Sequence, residues 1–173
     1  MKIKLIIAID NNGVMGKNNT LPWKLSDDLK HFKLETENNP MIMGSNTFNS
    51  LPGILPGREH IVLSRTMYST ENCSVFTSIN EALNYLKESN TQIVNVIGGA
   101  NIIKQFCTLN LFDELILTFV DCSVDGDVSI DIDTDLHIHN WTCYNIEKYE
   151  KNDRNEYNFS IHKYKKNKKR FYS

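Results

Sequence analysis

Residues 2–13 read KIKLIIAIDNNG. From Ile3 to Ile9 the run is almost wholly apolar and rich in β-branched residues. A strand with one wet face would alternate. A continuous apolar run belongs to a strand buried on both faces, as in the centre of a mainly parallel sheet. It is too short to span a membrane, and it stops at the turn cluster Asp10-Asn11-Asn12-Gly13. The same kind of run returns at 41–43, 59–63, 74–76, 92–97 and 114–120. Helical patterns lie between these strands, over 26–37, 47–50, 78–87 and 100–107. Residues 141–149 and 157–164 flank the polar turn EKNDRNE and predict an antiparallel hairpin. The pattern predicts a single α/β domain with a mainly parallel central sheet of about eight strands. It would have an antiparallel C-terminal edge and helices on both faces.

The 173 residues suffice for one domain with a full core. A hydrophobic content of 40% with 23% charged residues is that of a soluble globular protein. A net charge of −2 gives no overall nucleic-acid signature. The charge is uneven, because residues 163–170, KYKKNKKR, hold six basic residues. Residues 165–173 read as a solvated tail beyond a domain of residues 1–164, or else as a weak anion or nucleic-acid tether. Cysteines at 73, 107, 122 and 143 show no zinc spacing. No metal site is expected, and the thiols should be free in a reducing, cytoplasmic compartment.

One stretch carries a carboxylate where a helix should be apolar: residues 21–32, LPWKLSDDLKHF. Ser26 is a good N-cap, and Leu25, Leu29 and Phe32 recur at helical spacing. Asp28 lies three residues from Leu25 and four from Phe32, so it shares their face, while Asp27 should point to solvent. An unpaired acid among apolar groups is expensive, and no basic residue stands at i+4. Its partner is then a ligand, unless both acids only complement the helix dipole. The preceding loop, 14–23, carries Met15, Leu21 and Trp23, which suits either an active-site lid or a satellite cluster under a loop.

Two strand–glycine–helix turns offer free N–H groups to an anion: Gly44-Ser45-Asn46-Thr47 and Gly98-Gly99-Ala100-Asn101. Neither is a GxGxxG fingerprint. Arg58 follows a rigid proline–glycine connection. Ser64-Arg65 closes a strand with a hydroxyl and a fixed charge, a pair suited to a phosphate. Thr118 is the one hydroxyl in ELILTFV. The loop at 121–135 has six Asp residues without EF-hand spacing and reads as solvated.

Taken together, these blocks resemble the dihydrofolate reductase family over about residues 2–164. The blocks are the first strand with Ala8, GVMGKNNTLPWKLSDDLKHFK, MIMGSNTFNSLP, LPGREHIVLSR, VNVIGGANI, ELILTFVD and VDGDV. The resemblance implies NADPH-dependent reduction of 7,8-dihydrofolate to tetrahydrofolate. By it, Asp28 hydrogen-bonds the pterin, Thr118 joins that network, and Trp23 fixes a water near the acid. Leu21 stands in the same catalytic group. Ile6, Ala8, Leu29, Phe32, Leu51, Leu55 and Ile97 would contact substrate, with Arg58 clamping its glutamate carboxylate. Ala8, Met15, Gly16, Asn19, Thr20 and Leu21 would meet the cofactor from the first strand and the lid. Gly44, Ser45, Asn46, Thr47, Ile97, Gly98, Gly99, Ala100, Asn101 and Ile102 would surround its nicotinamide, ribose and pyrophosphate. Leu63, Ser64 and Arg65 would take the 2′-phosphate end. The Gly98–Gly99 bond is cis in the family.

The sequence departs from the family at three places. Ser45 and Asn101 replace frequent basic residues, which shifts 2′-phosphate charge onto Arg65. Ile103 stands where a Tyr often lies near the nicotinamide. The implied partners are dihydrofolate and antifolate-type small molecules, with no membrane, no nucleic acid as the main role, and a monomeric chain. The alternative from another class is a non-catalytic nucleic-acid-binding protein using the basic tail.

Overall fold

β1 (Lys2–Ile9) pairs in parallel with β6 (Ile93–Gly98) on one side and β7 (Glu114–Val120) on the other. That position buries both of its faces, which is why its sequence does not alternate. The computed structural model describes residues 1–167. From β6 the parallel sheet continues through β3 (Met41–Gly44) and β4 (His60–Leu63) to β5 (Ser74–Phe76). On the other flank β7 meets β10 (Phe159–Lys166), which pairs with β9 (Trp141–Tyr149), both antiparallel. The order is β5-β4-β3-β6-β1-β7-β10-β9, eight strands as expected.

Helices α3 (Ile79–Glu88) and α4 (Ala100–Thr108) bury Leu83, Leu86, Ile103 and Phe106 against one face of the sheet, with Leu5, Ile7 and Val96. Ser78 caps α3 by accepting from the Glu81 N–H at 3.2 Å, and the Glu81 carboxylate accepts the Thr77 N–H at 3.0 Å. That reciprocal capping box explains the sharp start of this helix. The opposite face holds Ile6, Ile116 and Ile161 in a second cluster with Trp23 and Leu25. Beside it, α1 (Ser26–Thr36) and the six-residue α2 (Ser45–Ser50) precede and follow β3.

Five local expectations need correction. Ser26 is not the cap of α1; Leu25 holds that position without a side-chain bond. The cap comes instead from the distant hairpin turn, where Asn155 Oδ1 accepts from the Asp27 N–H at 3.2 Å and Asn155 Nδ2 donates to Asp27 Oδ2 at 2.8 Å. Asp27 therefore binds protein rather than solvent, because a buried Asn with a donor and an acceptor serves a helix N-terminus better than a serine facing outward. The glycine turn after β3 enters α2 at Ser45, two residues early, with Gly44 at the N-cap position.

The acidic loop is not simply solvated. Val128–Ser129 forms β8 and pairs antiparallel with β2 (Val14–Gly16), while Asp127 Oδ2 accepts the Asn18 N–H at 3.1 Å. Finally, β10 runs past residue 164. Lys165 and Lys166 are laddered to Thr142 and Trp141, and their ammonium groups lie 5.9 Å and 5.6 Å from the Tyr144 and Trp141 ring centroids. These two residues of the expected tail belong to the sheet, and residues 168–173 lie outside the described residues. No described helix is long and apolar enough to cross a membrane. All four cysteines are free, and the described residues hold no cluster able to bind a metal.

Candidate active site

Asp28 stands in the first turn of α1, and Thr118 lies on β7 directly opposite Ala8 of β1. The Thr118 hydroxyl donates to Asp28 Oδ1 at 2.6 Å. Thr118 is buried, so this bond is protected from water. Burial pushes the Asp28 carboxyl above the usual Asp range, while the Thr118 hydrogen bond and the charge of His31 pull it back down. Asp28 is half-buried, and its hydrogen-bond partner among the described residues is a hydroxyl rather than a base.

Two apolar clusters meet at α1, the helix that carries Asp28. Ile6 and Trp23 are buried in one cluster, with Ala8 packed against it. Leu51, Leu55 and Ile97 pack against another, built on Met41 and Met43. Phe32 packs against both, so it joins the two clusters. Leu29 and Leu21 are 56% and 53% exposed, so the stripe Leu25–Leu29–Phe32 buries its first residue and opens at the second. Trp23 is 5% exposed, and its Nε1 is buried without a protein partner among the described residues. A buried N–H of this kind requires a water or ligand acceptor.

Arg58 follows the connection that carries Leu55. Its Nε donates to the Pro56 carbonyl at 3.1 Å and its Nη1 to Thr36 Oγ1 at 3.2 Å. These bonds aim the guanidinium while leaving donors over. His60, at 1% exposure, supports the same connection: its Nε2 accepts the Leu55 N–H at 3.1 Å. Burial holds His60 below the usual histidine range, so the neutral ring, which can accept, is the form present. Nothing in the sequence marked Thr36 or His60.

At the carboxyl ends of three neighbouring parallel strands the glycines meet. Gly44 ends β3 opposite Leu63 of β4, and Met43 pairs with Gly98 of β6. This edge is where open α/β sheets bind ligands. The Gly98–Gly99 bond is cis and Gly98 has φ +131°, a backbone that only glycine adopts readily. A Cβ on Gly98 would stand 3.5 Å from Thr47 Oγ1 and 3.7 Å from Met15 Cε; one on Gly44 would stand 3.2 Å from Ile102 Cγ1. Met15, Gly44, Thr47, Gly98, Gly99 and Ile102 are therefore one constellation, with Ser45, Asn46, Ala100 and Asn101 on the adjoining helix starts.

Other expected cofactor residues are less tightly placed. Gly16 sits in β2 against Val128, and Asn19, Thr20 and Arg65 are exposed. The Ser64 oxygen accepts the N–H groups of Thr66 and Met67 at 3.2 Å and 3.1 Å, so it organises its own turn. Ile103, the residue that replaces tyrosine, has no exposed surface and is enclosed in the core under α4. Asp10, read only as part of a turn, is 2% exposed and accepts three backbone N–H groups, from Asn12, Val14 and Val124, each within 2.9 Å. It ties the start of the loop after β1 to the acidic loop. An Asx two residues before a turn was the available signal.

The fold is an α/β sheet with glycine turns at its strand ends, where such folds hold nucleotide cofactors, and with a half-buried acid in the first turn of α1. A family model described as dihydrofolate reductase matches residues 2–166. Dihydrofolate reductase of Haemophilus influenzae is 36% identical over 155 residues, covering 88% of this chain and 91% of that protein. The Bacillus subtilis dihydrofolate reductase is 32% identical over 165 residues, covering 95% and 94%. The solved dihydrofolate reductase from Enterococcus faecalis, complexed with NADP(H) and RAB-propyl, superposes with a TM-score of 0.84 at 29% identity, covering 96% of each chain. The chain belongs to the dihydrofolate reductase family.

Proposed function

We propose that the cleft reduces 7,8-dihydrofolate to 5,6,7,8-tetrahydrofolate with NADPH, with hydride delivered to C6 and a proton to N5. The observation that carries this reading is the Thr118–Asp28 pair, an acid between apolar walls and beside a glycine cradle. The cradle fits the cofactor: the bare backbone of Gly44, Gly98 and Gly99 faces Thr47 and Ile102 at the start of α4, whose N–H groups favour phosphate. Bound there, NADPH supplies a hydride. Asp28 has Oδ1 on Thr118, which leaves Oδ2 to receive the pterin 2-amino group and N3. Phe32, Leu51 and Leu55 hold the rings and exclude water, which strengthens that polar contact.

Arg58, braced by Thr36 and Pro56, binds the substrate's glutamate carboxylate. Arg65 takes the 2′-phosphate, with less help from positions 45 and 101 than an arginine would give. The buried Trp23 Nε1 holds a water near the acid, and water carries the proton to N5. The enzyme works as a monomer in the cytoplasm, and antifolates compete for the Asp28 site. The test is loss of NADPH absorbance dependent on added dihydrofolate, run in parallel with NADH. Consumption with NADPH exceeding that with NADH is expected; no dihydrofolate-dependent consumption would overturn the reading.

A further inference from the structure

From Leu51 to Arg58 the chain reads LPGILPGR and belongs to no helix or strand. Leu51, Leu55 and Arg58 are half-buried, while Pro52, Gly53, Ile54, Pro56 and Gly57 are exposed. No ladder holds this connection in place. Pro52 and Pro56 have no N–H to give. Among the described residues, Leu55 supplies the one N–H of residues 52–57 that meets a protein acceptor, and that acceptor is His60 Nε2 at 3.1 Å.

A loop residue is thus held by a strand residue. His60 opens β4 and pairs with Met41 of β3, so its backbone is part of the parallel ladder. Its ring is buried, and the Phe48 ring of α2 meets it edge-on, 6.1 Å between centroids. Phe48, Leu51 and Leu55 all pack against the cluster of Met41, Met43 and Val62. Ladder and packing together fix Nε2 at one point beside the Leu55 backbone. To accept there, the ring must be neutral with its proton on Nδ1. Burial lowers the titration of His60, a backbone hydrogen bond with Arg58 opposes this, and the Arg58 charge adds to the lowering. A side chain without an acceptor would leave the Leu55 N–H unanswered, and the connection would shift to find water for it. Arg58 would move too, since only Pro56 and Gly57 stand between it and Leu55.

We propose that His60 is a positioning residue for substrate recognition: its ring ties the Leu55–Arg58 connection to the sheet, and so sets Leu55 against the substrate's benzoyl ring and Arg58 against its carboxylate. The inference rests on the proposed tail-binding roles of Leu55 and Arg58. Asp28 and the glycine turns have supports of their own, on β7 and along β3 and β6, so the effect falls on the tail of the substrate and not on its reacting ring.

The experiment compares two substrates at neutral pH with NADPH: dihydrofolate, which carries the benzoyl-glutamate tail, and 6-methyl-7,8-dihydropterin, which lacks it. His60→Phe keeps a ring and removes the acceptor. KM for dihydrofolate rises roughly fivefold or more with kcat kept, while kcat/KM for the tailless substrate changes by less than about twofold. His60→Gln offers an amide oxygen in place of Nε2 and brings KM to within about twofold of the parent. A Phe variant that keeps the parent's KM, or that loses both substrates equally, overturns the proposal, as does a Gln variant as impaired as the Phe variant. Arg58→Leu runs alongside: if it does not separate the two substrates, the tail reading has failed and the proposal falls with it. If the Phe variant does not fold, hydrogen exchange of the Leu55 amide in the parent decides. Protection that rises with bound folate and not with 6-methylpterin supports the proposal; an open loop's rate, or equal rates with both ligands, overturns it.

Discussion

Thr118 and Asp28 are 90 residues apart in the chain, and their side chains share a 2.6 Å hydrogen bond between β7 and α1. Valine at 118 keeps the shape and removes that bond. The Asp28 carboxyl, already raised by burial, then rises further. A hydrogen bond to a charged group contributes about 1.5–3 kcal/mol, so kcat/KM for dihydrofolate in Thr118→Val should fall by roughly tenfold or more. The pH inflection should move upward; a downward move would remove the bond from the mechanism.

Asp28→Asn deletes the acid while keeping its size. Steady-state kinetics at neutral pH should show kcat/KM lowered by roughly 10²–10³-fold. NADPH binding, followed by fluorescence, should change by less than about twofold, because the glycine cradle is untouched. A variant turning over like the parent would show that the acid only complements the helix dipole.

Arg58 acts on a part of the substrate remote from the reacting ring. Arg58→Leu should raise KM for dihydrofolate by about 10–100-fold with kcat nearly preserved, the value of a charge-assisted contact made equally in ground and transition states. A fall in kcat at constant KM would assign Arg58 a different task.

Asn155 holds the start of α1 from the far hairpin. Asn155→Ala strips the cap and leaves Asp27 half-paired, with Arg154 still 3.8 Å away. The expected cost is about 1–2 kcal/mol, a drop in Tm of roughly 2–8 °C by calorimetry. Turnover should weaken too, since the same helix carries Asp28. Unchanged Tm would mean that α1 is capped adequately without it.

Acid should weaken the fold through histidine. His60 and His162 are both held below the ordinary range, first by burial. A lowered folded value means that the unfolded chain takes up protons first. Stability is then complete above the unfolded value of about 6.5 and declines as pH falls below it. Urea midpoints should be lower at pH 5 than at pH 7.5, and the gap should narrow in His60→Gln. A gap of equal size would place the acid sensitivity elsewhere.

The order of elements was legible because periodicity is local. KIKLIIAI can be assigned to a two-sided strand without knowing its neighbours, and ELILTFV likewise. Asp28 was legible as an anomaly, a carboxylate on an apolar stripe with no basic residue at i+4. The glycine turns were legible as anion-ready strand ends, though nothing local said that they meet. The resemblance to a family then placed Thr118 and Arg58 beside Asp28, which no spacing rule could do.

Pairings that depend on distant partners were not legible. Ser26 looks like the better cap, yet Asn155 takes the work because a hairpin 128 residues away folds onto the helix start. The acidic loop looks solvated, yet β8 pairs with β2 and Asp127 accepts the Asn18 N–H. Asp10, Thr36 and His60 are ordinary polar residues until burial forces each to find a partner.

By itself, then, the sequence determined the alternation of strands and helices, the central place of β1 and the presence of one acid that needed a partner. Hydrophobic period and turn chemistry act over a few residues and can be read there. Only the tertiary structure decided which polar groups answer one another, from Asn155 on Asp27 to Glu35 between His31 and Lys163. Those bonds cross between strands and helices, and their strength depends on exclusion from water, which exists only once the sheet has closed over them.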